Sequence, residues 1–431
     1  MRKVVRFKTL KATCLTSMSP FSMLCCIMYK RRSLDSEVNA MGKVNQEKTI
    51  NRREFLKLGA MTVATAAVGL GGLRGVLGAQ TDKQNQGVTP VYRTLGRTGL
   101  KVTVVSFGAM LTPEHEVMRA AFDLGINYVD TARIYMGGKN EEIVGMAVKG
   151  IRDRLYIATK TSNKSNSKKA IIKDVETSLE KLGTDYIDVI QLHSLTNRDR
   201  AFIPEVCEAL IELRKQGKVR FFGVTTHTNQ AEVIDAVVDD KDKFFDTVLV
   251  GYNFKSSPDV REAIGRAAKA GIGVIAMKTQ AGGYKTDAFG AVAPHQAALK
   301  WVLQDANVSC AIPGMKDIQM LSEDMAVMGM KLTRADERIL ERYSNAISPY
   351  YCHLCGRCES TCPEHVAIST INRSLMYAEG YRNRGLAQET YREVPNTSSA
   401  LACLDCHECV ARCVNGINIA HKMEKARRLL T

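Results

Sequence analysis

The chain lacks an apolar run long and clean enough for a stable membrane span. Its nearest candidate, Leu58 to Leu73, is Gly-rich, is broken by Arg74 and falls short of the ~20 apolar residues a span needs. It also lacks a basic surface beyond its start. Of the formal net charge of +15, residues 1–79 hold 14 Lys/Arg against 4 Asp/Glu, leaving 46 basic and 41 acidic residues, net +5, in Gln80–Thr431. No basic stripe remains there, which excludes a nucleic-acid partner. No cysteine stands near Ala79, where a leader would be cut, so a lipid anchor is excluded at that point. No G-x-G-x-x-G follows the first strand-like run, which argues against a doubly wound dinucleotide sheet.

What the first 79 residues do hold is a patterned leader. Asn51-Arg52-Arg53-Glu54-Phe55-Leu56-Lys57 precedes the mildly apolar Leu58 to Leu73, and Leu77-Gly78-Ala79 ends in the small residue that cleavage requires. Paired arginines ahead of such a segment resemble a twin-arginine export signal, which implies the twin-arginine export machinery as a partner and a periplasmic destination. The alternatives are a short membrane anchor and a cytoplasmic protein whose leader goes unused. Residues 1–40 carry Cys14, Cys25, Cys26 and scattered bases without a period, and translation is expected to begin at Met41.

After a polar linker over residues 80–90, strand-like and helix-like runs alternate at short spacing. The strand-like runs are Val102–Ala109, Ile126–Thr131, Leu155–Lys160, Ile187–His193, Val219–Thr225, Phe245–Tyr252, Ile272–Lys278 and Ser309–Pro313. A helical pattern follows each, the last spanning Lys316–Met328. Eight such units in about 250 residues predict an α/β fold, a (β/α)8 TIM barrel over 91–343, with an open doubly wound sheet as the runner-up. Residues 344–431 read as a second, small α-rich domain.

Active sites of such barrels lie at the carboxyl ends of the strands. Three consecutive strands deliver polar residues there: Asp130 and Tyr135 after the first, Lys160 at the end of the next, and His193 at the end of the third. The order Asp-x4-Tyr, Lys, His resembles the catalytic tetrad of the aldo-keto reductases, and the resemblance runs from about Tyr92 to Tyr343. It implies interconversion of a small carbonyl and an alcohol. Tyr135 would act as general acid, its phenol held down in pKa by the Lys160 ammonium. Asp130 would orient Lys160, and His193 would donate to the substrate oxygen.

The same resemblance implies a nicotinamide, NADPH in preference to NADH, held across the rim by Thr225, Tyr252, Asn253, Met277, Lys278, Gly314, Lys316, Glu323 and Asp324. Ile312-Pro313-Gly314 would open the phosphate region, with Lys316 set to meet a 2′-phosphate.

The last 90 residues carry two matching runs, Cys352-x2-Cys355-x2-Cys358-x3-Cys362-Pro363 and Cys403-x2-Cys406-x2-Cys409-x3-Cys413. This spacing resembles that of the two-cluster bacterial ferredoxins and implies two 4Fe-4S clusters. The resemblance puts Cys352, Cys355, Cys358 and Cys413 around one cluster, and Cys403, Cys406, Cys409 and Cys362 around the other. Zinc and disulfides are the alternatives, and the duplicated triplet-plus-one spacing argues against both. Residues 363–402 form a long insert expected to be helical. Cys207 and Cys310 read as core residues.

Together these features point to an exported oxidoreductase of aldo-keto reductase type with a cluster domain and possible redox partner protein. The alternative is an exported iron-sulfur electron-transfer protein whose barrel serves for binding or docking.

Overall fold

The computed structural model describes residues 88–162, 164–284 and 294–431. The export signal at Arg52 and Arg53, the cleavage at Ala79, the start at Met41 and most of the linker lie outside the described residues.

The described chain opens on an antiparallel hairpin of β1 (Tyr92–Thr94) and β2 (Lys101–Thr103). Its turn fits only because Gly96 has no side chain. A Cβ there would stand 2.2 Å from the backbone nitrogen of Gly273, and the residue's φ of 49° is left-handed. The hairpin thus closes the floor of a barrel, where Leu95, Leu100 and Val102 pack against Tyr128, Val189, Leu249 and Ile275.

Eight parallel strands follow: β3 (Phe107–Gly108), β4 (Tyr128–Asp130), β5 (Tyr156–Lys160), β6 (Ile187–Leu195), β7 (Val219–Thr226), β8 (Thr247–Gly251), β9 (Gly273–Met277) and β10 (Cys310–Ala311). They pair in sequence order, and parallel bridges Val105–Ala311 and Gly108–Gly314 join the first to the last. The fold is a (β/α)8 barrel. The outer helices are α1 (His115–Asp123), α2 (Asn140–Val148), α3 (Lys168–Leu182), α4 (Pro204–Lys215), α5 (Gln230–Val238), α6 (Pro258–Lys269), α7 (Pro294–Leu303) and α8 (Ile318–Met325).

Helix α3 shows how local sequence sets these elements. The Ser167 hydroxyl accepts from the Ala170 N–H, Ile171, Val175 and Leu182 face the strands, and left-handed Gly183 stops the helix. Each such fully buried aliphatic side chain contributes roughly 1.5–3 kcal/mol.

One expected strand is divided. Val102–Ala109 reads as a single apolar run, yet its first part pairs in the floor hairpin, and the barrel takes the later part through Val105 and Phe107–Gly108. The chain bends between them, where the Ser106 hydroxyl donates to the Thr103 carbonyl at 2.7 Å. An apolar run cannot reveal that its two ends are buried in different layers.

Beyond the barrel lie α9 (Arg334–Ile347), α10 (Ile368–Glu379), α11 (Arg384–Tyr391) and α12 (Ile419–Leu430), with both cysteine runs in irregular loops. A capping box between Thr333 and Asp336 starts α9. The apolar core here includes Ile371, Leu375, Tyr391 and Met423, and it absorbs Ala281 and Tyr284 from the loop after β9. The Tyr343 hydroxyl donates to the Tyr284 carbonyl at 2.9 Å. The cysteine domain is therefore built onto the mouth of the barrel.

Candidate active site and cysteine groups

Parallel register places Lys160 beside Gln191 at the ends of β5 and β6. Both side chains converge on Asp130, at the end of β4. The Lys160 ammonium donates to Asp130 and to the Thr131 carbonyl at 2.7 Å, while the Gln191 amide donates to the other Asp130 oxygen at 2.8 Å. All three are buried. Tyr135 begins a short turn in which Met136 and Gly137 both hold positive φ. Its ring centroid lies 4.8 Å from the Lys160 nitrogen and 6.1 Å from the His193 ring. The four residues expected to act together are thus brought together.

Their electrostatics depart from expectation at one point. Burial pushes the Tyr135 phenol well above its ordinary pKa, Asp130 and Tyr377 add to the rise, and the Arg373 guanidinium opposes it. The anticipated lowering is not realised in the resting site, because burial of the phenol outweighs the charges around it. Burial also lifts the Asp130 carboxyl and lowers the Lys160 ammonium, since each charge loses water, and their contact offsets both. His193 falls well below its usual value, first through burial and then through Lys160, Arg373 and Arg200, so its imidazole is neutral at pH 7. Neither His193 Nδ1 nor His227 Nδ1 has a partner among the described residues.

A cavity of about 530 Å³ opens over these groups. Three non-glycine residues that line it, Ser194, Lys278 and Arg382, hold left-handed φ between 53° and 55°. Such strain clusters at sites where placement outweighs local stability.

Of the expected cofactor residues, Met277, Lys278, Gly314 and Lys316 line this cavity. Thr225 sits beneath it, accepting from the Ser194 N–H at 2.8 Å. Asn253 instead donates to the Lys278 carbonyl at 3.0 Å and to the Tyr351 hydroxyl at 3.1 Å, tying the rim to the first cysteine run. Tyr252 does not line the cavity. Its ring packs 5.1 Å from Trp301 of α7, and its hydroxyl donates to Asp305 at 2.7 Å. Glu323 pairs with His295 at 2.9 Å. Asp324 is buried with neither oxygen partnered among the described residues, and burial, with Glu323 adding, pushes its carboxyl up to about 8. The donor set fits a nicotinamide dinucleotide: Lys278 and Lys316 offer cations for phosphates, and Met277 offers an apolar face near Tyr135.

Sequence reasoning missed one whole side of the cavity. Arg373, Tyr377, Tyr381, Glu389 and Glu393, all from the insert 363–402, line it opposite the strand ends. The Tyr377 hydroxyl receives the Lys278 ammonium at 2.7 Å. The only signal was the insert's length and helical pattern. Gln191, two residues before His193, was legible as sharing its face of the strand.

The cysteines gather into two groups. Cys352 lies within electrostatic reach of Cys355, Cys358 and Cys413, and Cys403 within reach of Cys406, Cys409 and Cys362. All eight are free thiols. Among the described residues no three His, Cys, Asp or Glu side chains close on a point that would hold a single metal ion. A cavity of about 510 Å³, lined by Cys362, Cys403, Cys406 and Cys409, leaves room for a larger inorganic group. Burial and crowding by like groups push the Cys352 thiol up to about 12 and the Cys358 thiol up to about 11. The Leu354 and Asn415 amides each donate to a thiol sulfur, Cys352 and Cys413, at 3.4 Å.

Comparison with known proteins covers both parts. Residues 112–290 match the model of the Aldo/keto reductase family, and residues 344–414 match that of the 4Fe-4S dicluster domain. The uncharacterized oxidoreductase YqkF of Bacillus subtilis is 38% identical over 149 residues, 31% of this chain and 48% of that protein. The L-galactose dehydrogenase of Arabidopsis thaliana is 35% identical over 152 residues, 31% of this chain and 47% of that protein. The chain thus spans about half the length of these curated relatives. Among solved structures, the holo form of aldo-keto reductase AKR11C1 from Bacillus halodurans superposes with a TM-score of 0.51 at 26% identity, over 59% of this chain and 96% of that one. An aldo-keto reductase from Klebsiella pneumoniae in complex with NADPH gives 0.51 at 25% identity, over 59% and 95%.

Proposed function

We propose that this chain, which carries an aldo/keto reductase domain ahead of a 4Fe-4S dicluster domain, interconverts a carbonyl and an alcohol with NADPH. The observation that carries the reading is the buried Asp130, Lys160, Tyr135 and His193 constellation at adjacent strand ends, opening on one cavity. A bound nicotinamide would supply hydride chemistry, with Met277, Lys278, Gly314 and Lys316 holding it. The chain's own residues then handle the oxygen. Tyr135, protonated at rest, gives its proton to the carbonyl oxygen as negative charge develops there. The nearby Lys160 ammonium, fixed by Asp130, favours the phenolate left behind. A neutral His193 donates one N–H to the same oxygen and orients it.

The cysteine groups would hold two 4Fe-4S clusters, Cys352, Cys355, Cys358 and Cys413 at one and Cys403, Cys406, Cys409 and Cys362 at the other. They would supply one-electron capacity and lock the domain's irregular loops. A redox partner protein and export by the twin-arginine route complete the proposal. That route carries folded proteins, so clusters inserted in the cytoplasm would survive transit, and fractionation of the native host tests the periplasmic placement.

The deciding experiment is Tyr135→Phe in the cluster-loaded protein. NADPH binding should persist while carbonyl reduction disappears; retained turnover refutes Tyr135 as the acid. The completed constellation favours turnover over a barrel that only docks a partner.

A further inference from the structure

The insert between the two cysteine runs brings a buried cation to the catalytic end of the cavity. Arg373, on α10, is 6% exposed and lines the cavity with Tyr377 and Glu393. Its charge is felt at Tyr135, His193 and His227, which places it over the reacting groups. A guanidinium carries five N–H donors. Nη2 donates to Glu393 at 2.9 Å, and Nε has no acceptor among the described residues. Lys278, the neighbouring cation, is already engaged by the Tyr377 hydroxyl. Nothing in proton or hydride transfer to a carbonyl calls for a guanidinium at this position. Glu393 already neutralises the charge, but a buried donor left without an acceptor is costly until one joins it.

We propose that Arg373 anchors a carboxylate on the substrate, so that this site takes oxo acids or aldehyde acids and, in reverse, hydroxy acids. A planar guanidinium suits a carboxylate better than an ammonium does, because its parallel N–H groups match the two oxygens. Glu393 fixes the plane of the fork and leaves the remaining donors for the ligand. Met110, Ile134 and Leu386 supply the apolar wall for the carbon skeleton between the carboxylate and the carbonyl. The cluster domain thereby selects the substrate that the barrel reduces. This inference rests on the carbonyl-reductase reading.

The test compares 4-carboxybenzaldehyde with its neutral methyl ester, using NADPH and the full-length, cluster-loaded protein. In Arg373→Met, kcat/KM for the acid should fall about 10- to 100-fold, mostly through KM, as expected for one lost charge-assisted contact. The ester should change by less than about threefold, and Arg373→Lys should recover part of the loss for the acid. An equal loss for both substrates, or no loss for either, overturns the proposal. Visible cluster absorbance matching the wild type shows that a variant is folded; should Arg373→Met fail this check, Arg373→Lys carries the comparison. If the wild type reduces neither aldehyde, the carbonyl-reductase reading fails, and calorimetric binding of oxamate decides the inference separately. Binding by the wild type that Arg373→Met loses supports it, and no binding by the wild type overturns it.

Discussion

Gly380, at the C-terminal end of α10, packs its bare Cα against the carbonyl oxygen of Gly282 in the loop after β9. A Cβ at Gly380 would stand 2.0 Å from that oxygen. Backbone meets backbone here, so the insert and the barrel rim have no flexible side chain between them to absorb a change. Gly380→Ala should lift the end of α10, destabilise the protein by about 1–3 kcal/mol and raise KM more than it lowers kcat. Thermal melts and steady-state kinetics on the variant check both expectations.

Lys160→Met tests the buried pair. Removing the ammonium leaves Asp130 charged and short of its main partner, so the loss of stability should be about 3–5 kcal/mol. Adding Asp130→Asn should return part of that stability while leaving turnover absent. Urea denaturation of the single and double variants, read as a double-mutant cycle, checks the coupling.

Asp324 should make stability depend on pH in the opposite sense to a salt-bridged carboxylate. Its carboxyl ionises near 3.8 in an open chain and at about 8 when folded, so the folded state binds the extra proton between those values. Stability from this group is complete below about pH 4 and declines as pH rises toward about 8. Asp324→Asn should flatten the decline, seen as a smaller change in Tm between pH 5 and pH 8.

The grouping of thiols predicts which cysteine losses add. Cys362→Ala and Cys403→Ala should each remove about half the iron and sulfide, and their combination no more, because both serve one group. Cys362→Ala with Cys355→Ala should remove nearly all. Iron and acid-labile sulfide assays check this, and zinc without sulfide would sink the cluster reading.

Much of the barrel was legible because parallel strands, buried on both faces, leave continuous apolar runs ending in polar residues. Asp130, Lys160 and His193 stand at just such ends. Tyr252 shows the limit of that signal: position at a strand end does not say whether a ring turns toward the cavity or, as here, toward Trp301. The Tyr135 pKa was misjudged for a related reason, since one-dimensional order hides how completely the phenol is buried. Arg373 was beyond reach altogether. Its spacing within α10 marks a helix, and only the docking of that helix on the loop after β9 makes it part of the site.

Cys362 and Cys403 flank the segment that bears Arg373, Tyr377 and Glu393, and both belong to the same thiol group. The segment is a loop of about 40 residues drawn shut at its neck, and closing a loop that long costs about 3 kcal/mol of chain entropy. A cluster held by those thiols, as proposed, would be the knot. Iron starvation or an oxidant that dissolves it would loosen the neck and let the wall of the pocket drift, even with every barrel residue in place. On the proposed reading, substrate recognition would thereby be tied to the iron status of the cell that assembles the protein.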